Sequence, residues 1–251
     1  MRKSILPILL FLFSSCATQL MPSGSFVPQM QEKKDLKAKV SLSTNSFQSA
    51  VAYAPFNHIA FKTDAGFTYN YITGVPDNRS SEFDIIGWFF DIPMIYQNSN
   101  LEFSIGYFNK FKNTLIYEIY SGVKTGYYKD TYDSGFYHSP NINFATSHIG
   151  SKFSYGISAK IYYNFYNVLK YYSYYNIYYT YKFRFFSFEP NIFLKLGKRN
   201  LSAEFQIGTM ILNKDKTFIL YKTNYGELID NSILHISVGL SYNFNHKNKK
   251  Q

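Results

Sequence analysis

Few side chains in this 251-residue sequence could do chemistry, and their spacing limits what that chemistry would be. The histidines are His58, His138, His148, His235 and His246, and no two stand at the spacing of a zinc pair. There is no HExxH, and the single cysteine, Cys16, leaves no Cys/His cluster. No G-x-S-x-G elbow, P-loop or G-x-G-x-x-G occurs. Ser139 follows His138 and Ser147 precedes His148, two of the ingredients of an acyl-transfer site. Neither pair has an identifiable third partner. The chain therefore reads as non-enzymatic, with no cofactor and no metal. The net charge of +10 is spread over N-terminal, strand, turn and tail positions. A nucleic-acid partner would need that charge on one face among aromatics. Anionic lipid headgroups suit it better.

The elements that would position these groups are strands. In 234–244, Leu234, Ile236, Val238, Leu240, Tyr242 and Phe244 point one way, and His235, Ser237, Gly239, Ser241 and Asn243 the other. A period of two marks a β-strand. The same alternation runs through 37–43, 49–54, 59–71, 83–89, 101–107, 117–126, 142–146, 153–161, 177–184, 192–196 and 201–211, with a weaker trace over 217–222. Turn-rich stretches at 74–80, 129–140 and 225–231 separate some of them. No helical period appears after residue 37, so the fold expected is all-β.

A soluble barrel would put the apolar face inside, and a membrane barrel puts it outside. Residue types favour the second. The polar face carries Gly, Ser, Thr and Asn with charges of both signs: Lys62, Asp64, Glu82, Asp84, Glu102, Glu118, Lys124, Lys160, Lys182, Arg184, Lys195 and Glu204. Such a mixture suits a narrow lumen where side chains must pair. Aromatics make up 20% and charged residues only 17%, with a mean hydropathy of −0.22. The Tyr-crowded stretch 162–175 suits an interfacial girdle. The expectation is a single up-and-down antiparallel transmembrane β-barrel of about twelve strands, because bacterial single-chain barrels are even-numbered. Ten is the alternative if 83–89 or the first short pair is not a strand. A barrel of this size has its lumen partly or wholly filled by side chains.

The first residues are a targeting segment. Arg2 and Lys3, the apolar run 5–13 and Ser14-Ser15-Cys16 form a signal peptide over 1–16. Cys16 after two small residues resembles a bacterial lipobox, which implies lipidation of Cys16, although Phe13 stands where that motif has a Leu-like residue. The other reading is cleavage after Ala17 at Ser15-Cys16-Ala17. Residues 17–36, with Pro22, Pro28 and a charged run, read as a flexible tether. Residues 37–244 are the barrel and 245–251 a basic tail.

The chain after the signal resembles bacterial outer-membrane β-barrel proteins. Its last strand ends in Tyr242 and Phe244, like the closing signal that such proteins present to the barrel assembly machinery, although here a tail follows it. More loosely, Cys16 with its Pro-containing tether, Ala52-Tyr53-Ala54-Pro55, His58-Ile59 and Glu189-Pro190 ahead of Gly197 are similar to uncharacterised outer-membrane barrel lipoproteins of Bacteroidetes-type bacteria. That group carries no activity over. The resemblance implies the outer membrane of a Gram-negative bacterium, with lipid and the assembly machinery as partners and an unknown small ligand. The role expected is structural, small-solute passage or ligand binding. The alternative is surface binding through loops, and a barrel enzyme acting on lipid acyl chains comes third.

Overall fold

The computed structural model describes residues 25–43, 46–70, 96–111, 114–129, 133–172, 177–197, 200–213 and 232–244. They form ten strands: β1 (Leu36–Ser43), β2 (Ser46–Phe56), β3 (Ile59–Asn70), β4 (Tyr96–Phe111), β5 (Leu115–Lys129), β6 (Asp133–Ile149), β7 (Phe153–Tyr172), β8 (Ile177–Gly197), β9 (Leu201–Asn213) and β10 (Ser232–Asn243). Each pairs antiparallel with its neighbours in sequence, and β1 pairs with β10 to close the barrel. The closing register sets Ala38 opposite Tyr242 and Val40 opposite Leu240. The Phe244 amide extends the seam by donating to the Leu36 carbonyl at 3.0 Å.

Ten is the smaller of the two counts read from the sequence. The segments 177–184 and 192–196 are one strand, β8, running through Glu189-Pro190. Pro190 keeps its place opposite Ala159 on β7. Toward β9 the ladder passes from Phe188↔Ile211 to Asn191↔Gly208 without changing register. The missing proline N–H thus costs local pairing on one side and does not end the strand. Pro140 does the same in β6, opposite Val123 on β5 while the ladder to β7 passes over it. The loop expected over 129–140 is therefore mostly strand, with only 130–132 between β5 and β6 undescribed. The segments at 83–89 and 217–222, the loops at 74–80 and 225–231, the signal peptide with Cys16 and the tail at 245–251 lie outside the described residues.

Burial follows the pleat with the polarity reversed from a soluble protein. Phe103, Ile105, Ile157, Ile192, Val238 and Leu240 are exposed on the outside, while Glu102, Ser104, Ser158, Asn191 and Ser237 are buried inside. One end carries the short connections β2–β3, β4–β5, β6–β7 and β8–β9, with the start of β1 and the end of β10. The other end carries the long connections 71–95 and 214–231.

Near the loop end the pattern inverts. In β8, Lys182 and Arg184 are exposed on the outer wall, and Phe185 is buried within. The two cations were expected in the lumen, and the structure corrects this. Their parity is continuous with Phe186 and Ile192 on the outside, so only the surroundings differ. Tyr128, Tyr137, Tyr162 and Tyr166 are likewise buried inside at this end. Tyr166 stacks on Tyr137 at 5.0 Å and on Phe185 at 5.6 Å between ring centroids.

Candidate functional site: a stoppered lumen

The segment 25–35 precedes β1; its first part, 25–30, lies inside the barrel, and 31–34 are exposed at the mouth. Ser25, Phe26, Val27, Gln29 and Met30 are all buried. This differs from the flexible tether expected over 17–36, of which 17–24 is outside the described residues. The physical reason is that lumen side chains replace the ladder that such a segment lacks. A buried main-chain N–H or C=O without a partner is costly. Here Gln206 Nε2 donates to the Ser25 carbonyl at 3.0 Å, and Lys195 Nζ to the Val27 carbonyl at 2.7 Å. Lys62 Nζ donates to the Phe26 carbonyl at 3.4 Å, and Lys37 Nζ to the Gln29 carbonyl. The Glu118 carboxylate accepts from the Gln29 and Met30 amides at 3.0 and 2.9 Å. Asn143 Nδ2 donates to Ser25 Oγ at 3.1 Å. The partners come from β1, β3, β5, β6, β8 and β9, so the segment is held from all around the wall.

Its apolar side chains are seated by small residues. Phe26 and Met30 pack with Ala50, Ala52, Ala54, Ala60, Phe108 and Tyr120, and Val27 packs with Ala145 and Phe193. The alternate alanines of β2 leave the room that a larger side chain would fill. That inward row, Ala50-x-Ala52-x-Ala54, was the sequence signal for an internal occupant. At the turn end a hook joins the segment to β1: Lys34 and Asp35 pair with Ala54, and Asp35 Oδ2 accepts from the Gln31 amide at 2.8 Å. Around the hook a cavity of about 1020 Å³ opens at this mouth, lined in part by Lys33, Lys34, Lys110 and Lys152.

Beside and beyond the stopper the lumen is tied by ion pairs. Lys160 on β7 reaches over β6 and β5 to Glu102 on β4, with Nζ 2.6 and 2.5 Å from the two carboxylate oxygens. Glu102 also lies 3.9 Å from Lys62 and accepts from Ser104 Oγ at 3.1 Å. Lys39 and Lys195 share Glu204 at 2.7 and 3.4 Å. Lys62 pairs with Asp64 at 3.1 Å. These are the lumen charges read from the sequence. Lys37 and Glu189 are buried in the lumen with them.

The reactive pairs do not assemble. His138 is exposed on the outer wall, where Nδ1 meets Thr125 Oγ1 at 3.0 Å. Ser139, the next residue of the strand, points inward and donates to Asn164 Oδ1 at 2.7 Å. The barrel wall therefore separates them, and Ser147 and His148 are split by the same alternation. His58 sits at the β2–β3 turn with Nδ1 3.0 Å from the Phe108 carbonyl. His235 is buried on the lumen wall. At the seam, Tyr242 and Phe244 stand outside with rings 4.7 Å apart, edge to face.

No known family model matches the sequence, and no curated protein does. Solved structures do match. The outer-membrane protease OmpT of Escherichia coli is similar over 90% of this chain and 100% of its own, at 11% identity and a TM-score of 0.50. The fold is that of a bacterial outer-membrane barrel. The N-terminal barrel domain of Pseudomonas aeruginosa OprF covers 85% of this chain and 100% of its own, at 9% identity and a TM-score of 0.36. The KdgM porin covers 83% of this chain and 98% of its own, at 9% identity and a TM-score of 0.34. At such identity the likeness to OmpT is one of fold and brings no activity with it.

Proposed function

We propose that this chain is a non-enzymatic outer-membrane barrel that passes small polar solutes when its own N-terminal segment leaves the lumen. The outer membrane of a Gram-negative bacterium, lipidation at Cys16, and Tyr242 with Phe244 as the signal to the assembly machinery belong to this reading. The short turns would face the periplasm and the long loops the exterior. One observation carries the proposal: the lumen is stoppered by a segment whose main chain is held by lysine, glutamate, asparagine and glutamine side chains. Once the segment leaves, those groups can be hydrated, and they stand beside the small alanines of β2 on the wall it uncovers.

Planar-bilayer conductance tests this. The full chain is expected to stay closed, and a variant lacking 25–34 to carry a steady current. A silent deletion variant that still shows the heat-modifiable mobility of a folded barrel defeats the passage reading. A steady wide current through the full chain shows that the segment is not the stopper.

A second reading, surface binding through loops, has its own observation. A tilted strand crosses a bilayer in about 9–11 residues, whereas β7 has 20 and β8 has 21. The surplus near the loop end presents Lys182 and Arg184 outward. Protease treatment of intact cells should cut within 71–95 or 214–231, and chains left uncut count against surface display.

A further inference from the structure

The polar groups that the stopper and the ion pairs leave over are gathered around one residue. Asn141, Asn143, Ser158, Glu189 and Asn191 are all buried. Each has side-chain oxygen for which no donor with hydrogen-bonding geometry exists among the described residues: Oδ1 of the three asparagines, Oγ of the serine and both carboxylate oxygens of Glu189. The Asn191 amide and the Tyr162 hydroxyl lie near Glu189 without completing such a bond. The asparagine nitrogens are engaged elsewhere, on the Ser139 carbonyl, Ser25 Oγ and the Glu189 carbonyl. A buried carboxylate at 0% exposure without a hydrogen bond is rare and calls for a cause.

The register supplies that cause. Asn143 and Glu189 are the two cross-strand neighbours of Lys160. Ser158 precedes Lys160 by two residues on the same face. Asn191 lies opposite Ser158, and Asn141 opposite Tyr162. The five acceptor side chains thus ring the foot of Lys160, whose ammonium has gone across the lumen to Glu102. Cross-strand neighbours stand about 4.5–5.5 Å apart at Cβ, well within the reach of a lysine. The Tyr162 ring, 4.9 Å from Nζ, offers a cation–π shelf along the way. A neighbouring cavity, lined by Lys124, Tyr162, Ser187 and Met210 among others, measures about 20 Å³, room for about one water.

We infer that Lys160 is a two-position latch: bound to Glu102 it bars the lumen, and bound to Glu189 and its ring of asparagine and serine oxygens it lies back along the β7–β8 wall and clears the way. Both positions are charge-compensated. When Lys160 leaves, Glu102 keeps Lys62 and the Ser104 hydroxyl. The buried ammonium of Lys124 lies within electrostatic reach of both carboxylates, so the bar can move without stranding either charge. The latch deepens the passage reading and its role rests on that reading, while the movement itself can be seen without any current.

The test is the structure of the full-chain Glu102→Gln variant. With the first carboxylate neutralised, Lys160 Nζ is expected within hydrogen-bonding distance of Glu189. If Lys160 stays on residue 102 and Glu189 remains unbonded, the latch is wrong. Should that variant not fold, Glu189→Gln answers by current in the chain lacking 25–34. There the second position is weakened, and the open fraction should drop about tenfold, the effect of roughly 1.4 kcal/mol. Lys160→Met should abolish switching between levels. A conducting barrel indifferent to both substitutions overturns the latch and leaves passage standing. Silence in every background overturns passage, and the latch with it where the Glu102→Gln chain does not fold.

Discussion

At the scale of the residue, Glu118 shows how the stopper is retained. Its carboxylate accepts from two successive amides of the segment and from the Tyr120 hydroxyl at 3.3 Å. Hydrogen bonds to a charged group contribute about 1.5–3 kcal/mol, against about 0.5–1.5 for neutral pairs. Glu118→Gln keeps the shape and removes the charge, so the segment should leave the lumen about ten to a hundred times more readily. Maleimide labelling of Val27→Cys in a Cys16→Ser background reads this directly. Slow labelling is expected in the parent and fast labelling with Glu118→Gln, and equal rates would show that Glu118 does not hold the segment. None of this was legible from the sequence. Glu118 is the polar member of an alternating strand like Glu102 or Glu204, and nothing in its neighbours distinguishes a partner on the facing wall from a partner in the lumen. The pairing depends on a contact between residues 88 and 89 positions apart, for which a period of two carries no information.

At the scale of the element, the alternation reported parity faithfully and strand ends poorly. Every segment expected as strand within the described residues is strand, with 177–184 and 192–196 merged into β8, and inward and outward sets hold through β4, β5, β9 and β10. Errors arose where the local code for a break was present but the ladder overrode it, at Pro140 and at Glu189-Pro190. They also arose where parity persisted while the medium outside changed, at Lys182 and Arg184. The pairs on either side of Pro190 keep one register, so the strand does not need the proline. Pro190→Thr restores an N–H and a β-branched side chain suited to a strand. The temperature at which the folded band disappears on a heat-modifiability gel should hold or rise. A marked drop would mean that the proline itself aims Glu189 into the lumen.

At the scale of the molecule, the reversed polarity is what the membrane reading rests on, and its sharpest feature is a row of isoleucines. Ile157, Ile192 and Ile207 are consecutive across β7, β8 and β9 and are 56%, 60% and 37% exposed. In water such a stripe would drive association, and in lipid it is simply solvated. A lysine on the lipid face near the midplane of an outer-membrane barrel costs about 2–4 kcal/mol, falling to about 0–1 near the interfaces. Ile192→Lys should therefore lower the free energy of unfolding, read by urea titration in lipid vesicles, by an amount of that order. Arg184→Leu, on the same outer face of β8 but among the exposed polar residues near the loop end, should change it little. The strand already carries a lysine three residues from Ile192: Lys195 is tolerated because it faces the lumen and meets Glu204 at 3.4 Å. The contrast thus lies in the side of the wall and not in the strand's capacity for charge. If Ile192→Lys proved as stable as the parent in vesicles, the isoleucine row would not lie in lipid. The apolar belt would then have to be covered by protein, and the passage and surface readings would fall together.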